Sequence, residues 1–148
     1  MAEGPAVINA SPLIFLARGG HLDLLFLFAD EVWVPGPVAR EVTCRGSQDP
    51  TARALERTPE LVISAGPMIP EEVERWRLGA GESSVLALAL QTRGSEAILD
   101  DLPGRKCAES LTVPVRGTLG IVLAAKRRGA IPLARPVLED LMATGLYL

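Results

Sequence analysis

Five times along the chain a short apolar run stops at a polar residue, a proline or a turn. The runs cover residues 6–8, 32–34, 61–63, 97–99 and 113–115. The segments between them carry the apolar spacing and the caps of helices. Pro12, Pro37 and Pro50 stand at first-turn positions, and glycines such as Gly19-Gly20 stand at helix ends. Short buried strands alternating with helices need crossover connections, and these give a mostly parallel sheet covered on both faces. The expected fold is therefore α/β, a doubly wound sheet of four or five strands.

The individual expectations are a helix after Asn9 with Ser11 and Pro12 at its start, a helical turn or two over 22–28, and helices opened by Pro37 and by Asp49-Pro50. A charged helical segment is expected over 71–77, an apolar helix over 82–90, and helices over 105–110, 118–128 and 135–143. No linker, repeat or low-complexity tract interrupts the pattern, so residues 1–148 read as one domain. With 48% hydrophobic residues and only 4% aromatic, its core must be built from Leu, Val, Ile and Ala.

Several chemistries are excluded or disfavoured. The one histidine, His21, rules out any site needing two imidazoles and disfavours a serine or cysteine nucleophile with its histidine base. Cys44 and Cys107 form no C-x-x-C pair, which argues against a thiolate metal site or a disulfide framework and suits a reducing cytoplasm. The N-terminus lacks the features of a signal peptide, and no apolar run approaches the roughly 20 residues that span a bilayer. The expected location is cytoplasmic, without a membrane partner. A phosphate-binding G-x-x-x-x-G-K-[ST] loop is absent, and Gly79-Ala80-Gly81 lacks the third glycine of a dinucleotide fingerprint. The net charge of −3 gives no global attraction to nucleic acid, although Lys126-Arg127-Arg128 could supply a local one.

What remains is carboxylate chemistry. Ligands of open α/β sheets bind beyond the carboxyl ends of the strands, near a topological switch point. Asn9 follows the first apolar run, and Asp100-Asp101 follow the fourth. Glu41 lies one helical turn beyond the second, and Glu82 opens a helix after a glycine turn. Together they would offer an amide and three or four carboxylates to Mg²⁺ or Mn²⁺, which favour oxygen ligands and can activate water for phosphodiester hydrolysis. Each residue also has a structural alternative. Asp100 or Asp101 can cap the following helix, Glu82 can favour a helix dipole, Glu41 can pair with Arg40 or Arg45, and Asn9 can serve a turn.

The ordered set Asn9-Ala10-Ser11-Pro12-Leu13-Ile14, Val34-Pro35 with Val38-x-x-Glu41-Val42, Gly79-x-Gly81-Glu82 with Ala87-Leu88-Ala89, and Leu99-Asp100-Asp101 with Arg105-x-x-Ala108 and Gly117-Thr118-Leu119-Gly120 resembles a PIN-like branch of predicted nucleic-acid-binding proteins of bacteria and archaea. The resemblance runs from about Val7 to Gly145. It implies a PIN fold, a three-layer α/β/α sandwich, with Mg²⁺ or Mn²⁺ bound by Asn9, Glu41, Glu82 and Asp100 or Asp101 in the places of the four site acids. It further implies a metal-dependent endoribonuclease acting on RNA, commonly dimeric and commonly the toxin of a toxin–antitoxin pair, whose antitoxin is a small protein. On this reading Glu41, Glu82, Asp100 and Asp101 are catalytic, while Ser11, Arg105, Lys106, Lys126, Arg127 and Arg128 are the candidate nucleic-acid contacts. The departure is Asn9, where the usual PIN site has aspartate: a carbonyl oxygen still suits a hard cation, but one negative charge is lost. A non-catalytic PIN-like module that binds RNA or protein is the alternative.

Overall fold

A computed structural model describes residues 4–146. Five strands form one all-parallel sheet, β1 (Ala6–Ile8), β2 (Val32–Pro35), β3 (Leu61–Ser64), β4 (Glu96–Ile98) and β5 (Val115–Arg116), in the order β3-β2-β1-β4-β5. The chain winds outward from β1 through β2 to β3, then returns to the other side of β1 for β4 and β5. The winding therefore reverses between β1 and β4, which places the topological switch point there. In that central pair Ala6, Val7 and Ile8 lie opposite Glu96, Ala97 and Ile98. Val7 and Ile8 are fully enclosed, as a strand covered on both faces requires.

Among the described residues nine helical segments surround the sheet, completing the three-layer α/β/α sandwich. They are α1 (Ala10–Arg18), a 3-10 turn (Leu22–Leu27), α2 (Gly36–Thr43), α3 (Pro50–Arg57), α4 (Glu71–Glu74), α5 (Ala80–Gln91), α6 (Leu102–Ser110), α7 (Thr118–Arg127) and α8 (Ala134–Ala143). Helix α5 is the centrepiece. Its residues from Ser83 through Ala89 are all buried, because it packs on β1, β2 and β4 and also against α2, α4 and α6. A helix apolar around its whole circumference is stable only when enclosed in this way. Helix α7 packs with α8 and the 3-10 turn, both of which also touch α1. Leu24 and Leu25 of that turn belong to the core, and Leu22, Phe26, Leu27 and Phe28 pack half-buried against it.

Two local expectations shift. The first helix begins at Ala10 with Asn9 at its N-cap position, so Ser11 is an exposed first-turn residue and not the cap. The charged segment over 71–77 forms only the single turn of α4, for Val73 is its one buried anchor and Arg77 turns into the left-handed region at φ 53°. Four residues with three acids gain little from helix propagation without a buried face.

The start of α3 follows the sequence closely. Asp49 caps it by accepting a hydrogen bond from Thr51 N at 2.9 Å, and its other oxygen meets Arg18 Nη2 of α1 at 2.5 Å. The Arg18 hydrogen bond holds the Asp49 carboxyl below its usual range against the opposing effect of burial, and the bond from Thr51 adds to it. A carboxyl depressed in the folded state stabilises fully above its unfolded pKa and loses that contribution as the pH falls through the folded one. Urea unfolding across acidic pH should thus show the advantage of the wild type over Asp49→Asn shrinking as the pH drops. At neutral pH, Asp49→Ala should cost about 1–2 kcal/mol through the lost cap.

Candidate active site

The carboxyl ends of β1 and β4 meet at the switch point, and the chain turns polar there. Asn9 directly follows β1, and its backbone N–H donates to the Ile98 carbonyl at 2.9 Å, tying it to the neighbouring strand. The Asn9 side chain is 5% exposed and makes no capping hydrogen bond to α1. Its Oδ1 instead faces the start of α5, where a Cβ added to Gly81 would come within 3.0 Å of it. Gly81 is thus required by close approach: any side chain would fill the space beside the amide.

One residue further on, Glu82 leans back over the N-cap of its own helix, since a Cβ on Gly79 would meet its Oε2 at 2.5 Å. This is the N3 position of the helix, where negative charge is favourable. Glu82 remains half-buried at the carboxyl edge of the sheet.

Asp100 and Asp101 follow β4 and differ in their partners. Asp100 receives two hydrogen bonds from Thr118, from the backbone N–H to Oδ1 and from Oγ1 to Oδ2, both at 2.7 Å. Thr118 is wholly buried, and it fixes this carboxylate at the N-terminus of α7. Gly117 allows the approach, because a Cβ there would lie 3.0 Å from Asp100 Oδ1 and 2.9 Å from Arg105 Nη1. Arg105 therefore stands at this end of the sheet. Asp101 caps α6 through Oδ2, which accepts from Gly104 N at 2.9 Å, while its buried Oδ1 has no hydrogen-bond partner. The capping alternative is thus realised by Asp101 on the helix that follows, whereas Asp100 reaches across to α7.

Glu41 lies on α2 one turn beyond Val38, whose Cγ2 approaches the Gly81 position at 3.6 Å; the Glu41 side chain is exposed. Ser11 and Lys106 are exposed on the first turn of α1 and on α6. Lys126, Arg127 and Arg128 are elsewhere: α7 starts at Asp100 and its ten residues carry the basic run about 15 Å away. Arg128 there bonds the Leu27 carbonyl and stacks over Phe28, as does Arg116, at 4.6 and 4.7 Å from the ring centroid. Burial pushes the enclosed Cys107 thiol up, which disfavours its reactive thiolate form.

Among the described residues no group of three or more His, Cys, Asp or Glu side chains is gathered to hold a metal ion. The donors at the switch point nevertheless fit Mg²⁺ or Mn²⁺. They are hard oxygens, Asp101 Oδ1 is a buried carboxylate oxygen lacking a partner, and Mg²⁺ is commonly held by one or two carboxylates with water and substrate phosphate completing its shell.

A strand-end amide, acids beyond the central parallel pair and a glycine-opened helix are the arrangement that the sequence resemblance implies. The family model DUF3368, described as a PIN domain, matches residues 5–148, and the chain belongs to that family. PIN domains are in general nucleases and typically use divalent metals. No curated protein matches the sequence. No helix among the described residues is long and apolar enough to cross a membrane.

Proposed function

We propose that this chain is a single-domain, metal-dependent endoribonuclease, the toxin half of a toxin–antitoxin pair, working in the cytoplasm as a homodimer. The observation that carries the nuclease reading is the meeting of Asn9 and Asp100-Asp101 at the topological switch point, with Glu82 opening the adjoining helix. The toxin role, the small antitoxin and the dimer rest on the family resemblance. Leu119 and Leu123, exposed one turn apart on α7, offer apolar surface that such a dimer would cover.

In this reading Asn9 Oδ1, Glu41, Glu82 and Asp100 or Asp101 hold Mg²⁺ or Mn²⁺, which when bound supplies an acidified water and neutralises charge on the phosphodiester. The chain's own residues orient. Thr118 immobilises Asp100, and each of its carboxylate oxygens keeps lone-pair capacity after accepting one hydrogen bond. Arg105, beside Asp100, is suited to a phosphate oxygen of the RNA.

A second reading, a PIN-like module that binds RNA or protein without cleaving it, is favoured by two observations. Asn9 carries no charge where the usual site has aspartate, and Asp101 is already used in capping α6. Residue-resolved NMR with added Mn²⁺ tests the metal site directly. Broadening centred on the amides of Asn9, Gly81, Asp100 and Thr118 is the expected result. Broadening confined to other acids, such as Glu71, Glu72 and Glu74, would remove the proposed site.

A further inference from the structure

Next to the switch point the carboxyl edge of the sheet opens into a second feature, a cavity of about 560 Å³. It lies between the start of α2, the loop after β3, α4 and the first turn of α5, and Pro37, Arg40, Pro67, Ile69, Arg77 and Ala80 line it. Its walls adjoin the site on two elements, since Pro37 and Ala80 precede Val38 and Gly81, the residues that meet beside Asn9. The volume falls within the roughly 300–1,000 Å³ of pockets that receive small molecules.

The charges in this cavity lack partners. Neither Arg40 nor Arg77 forms a salt bridge among the described residues, although Glu74 also lines the wall. The guanidinium of Arg40 is folded back along the first turn of α2, where a Cβ on Gly36 would meet its Nη1 at 3.4 Å. A cation near a helix N-terminus opposes the helix dipole, so that position favours an added anion. Arg77 has φ 53°, a conformation that costs a side-chain-bearing residue and that glycine adopts freely. An arginine stands where local structure would prefer glycine, at the mouth of a cavity beside the site.

We infer that this cavity is a nucleotide subsite for single-stranded RNA. Arg40 and Arg77 hold a backbone phosphate adjacent to the scissile one, and the attached base enters against Pro67 and Ile69. The inference rests on the ribonuclease reading and extends it, by assigning substrate contacts to residues outside the acidic set.

The test is fluorescence anisotropy of a labelled mixed-sequence hexaribonucleotide in EDTA, measured against salt for the wild type, Arg40→Ala, Arg77→Ala, Arg77→Gly and Arg93→Ala. Each substitution at Arg40 or Arg77 should weaken binding about 5- to 10-fold and lower the salt slope by about 0.7, as expected for one lost phosphate contact on a single strand. Arg93, an exposed arginine in the turn before β4, should be neutral on replacement. Arg77→Gly should weaken binding while keeping or raising the thermal unfolding midpoint, a pairing that a purely structural role for Arg77 would not give. Unchanged affinity in both Arg40 and Arg77 variants, or an equal loss in Arg93→Ala, overturns the subsite and leaves the nuclease reading intact. A wild type that does not bind the RNA overturns the subsite, and the nuclease reading is then judged by metal-dependent cleavage alone.

Discussion

Asp100→Ala should lower metal-dependent RNA cleavage by about 100-fold or more, since even outer-shell partners of metal ligands are commonly worth 10- to 100-fold. The same change strips Thr118 of both acceptors while Thr118 stays fully buried, which should cost about 1–3 kcal/mol of stability. The two effects are separable. Thermal unfolding reports the loss at Thr118, and rates measured well below the unfolding midpoint report the chemistry. If Asp100→Ala is destabilised yet cleaves like the wild type, the carboxylate serves only to anchor α7.

The largest stability effect should come from α5. Leu86 is fully buried in the middle of that helix, which packs on three strands and three helices, so the cavity left by Leu86→Ala has little chance to collapse. We expect a loss of about 3 kcal/mol, with the melting temperature lowered by roughly 10 °C. Because the first turn of α5 carries Gly81 and Glu82 to the site, loosening this helix should also weaken Mn²⁺ binding at temperatures well below unfolding. Differential scanning calorimetry with a parallel Mn²⁺ titration measures both. A loss confined to stability would mean that the N-terminus of α5 is held by α2 and Asn9 alone.

The architecture was legible because each strand announces itself as an enclosed aliphatic run and each polar residue after a strand marks the sheet's carboxyl end. That logic found Asn9, Asp100 and Asp101 directly. It also found Asp49, whose Asp-Pro pair is a local capping signal read correctly without tertiary knowledge. What stayed hidden depends on contacts distant in sequence. Thr118 is 18 residues from Asp100, and nothing local to Gly117-Thr118 says which carboxylate it will meet. Arg40 and Arg77 share a cavity only because α2 and the turn after α4 converge beside α5. The place of Lys126-Arg127-Arg128 in the fold was hidden as well. The charge of this run is conspicuous in the sequence, but α7 carries it to the end of the helix away from Asp100.

The departure at Asn9 matters most for activity. In the proposed site an amide at the end of β1 would offer a carbonyl oxygen and leave the remaining acids to supply all the negative charge for the cation. Asn9→Asp would restore that charge in a largely buried position beside Gly81, and Mn²⁺ or Mg²⁺ affinity is the property it would alter first.

The proposed ribonuclease activity of this PIN-family chain rests on the Asn9 amide at the end of β1 and the carboxylates that follow β4. It is tested most directly by incubating the purified protein with a mixed single-stranded RNA pool and Mn²⁺ or Mg²⁺, beside EDTA and beside a folded Glu41→Ala, Asp101→Ala double variant. Cleavage that requires the metal and disappears in the double variant is the predicted result. Intact RNA in the presence of folded wild-type protein and saturating Mn²⁺, or cleavage that EDTA and the double variant leave untouched, would contradict it.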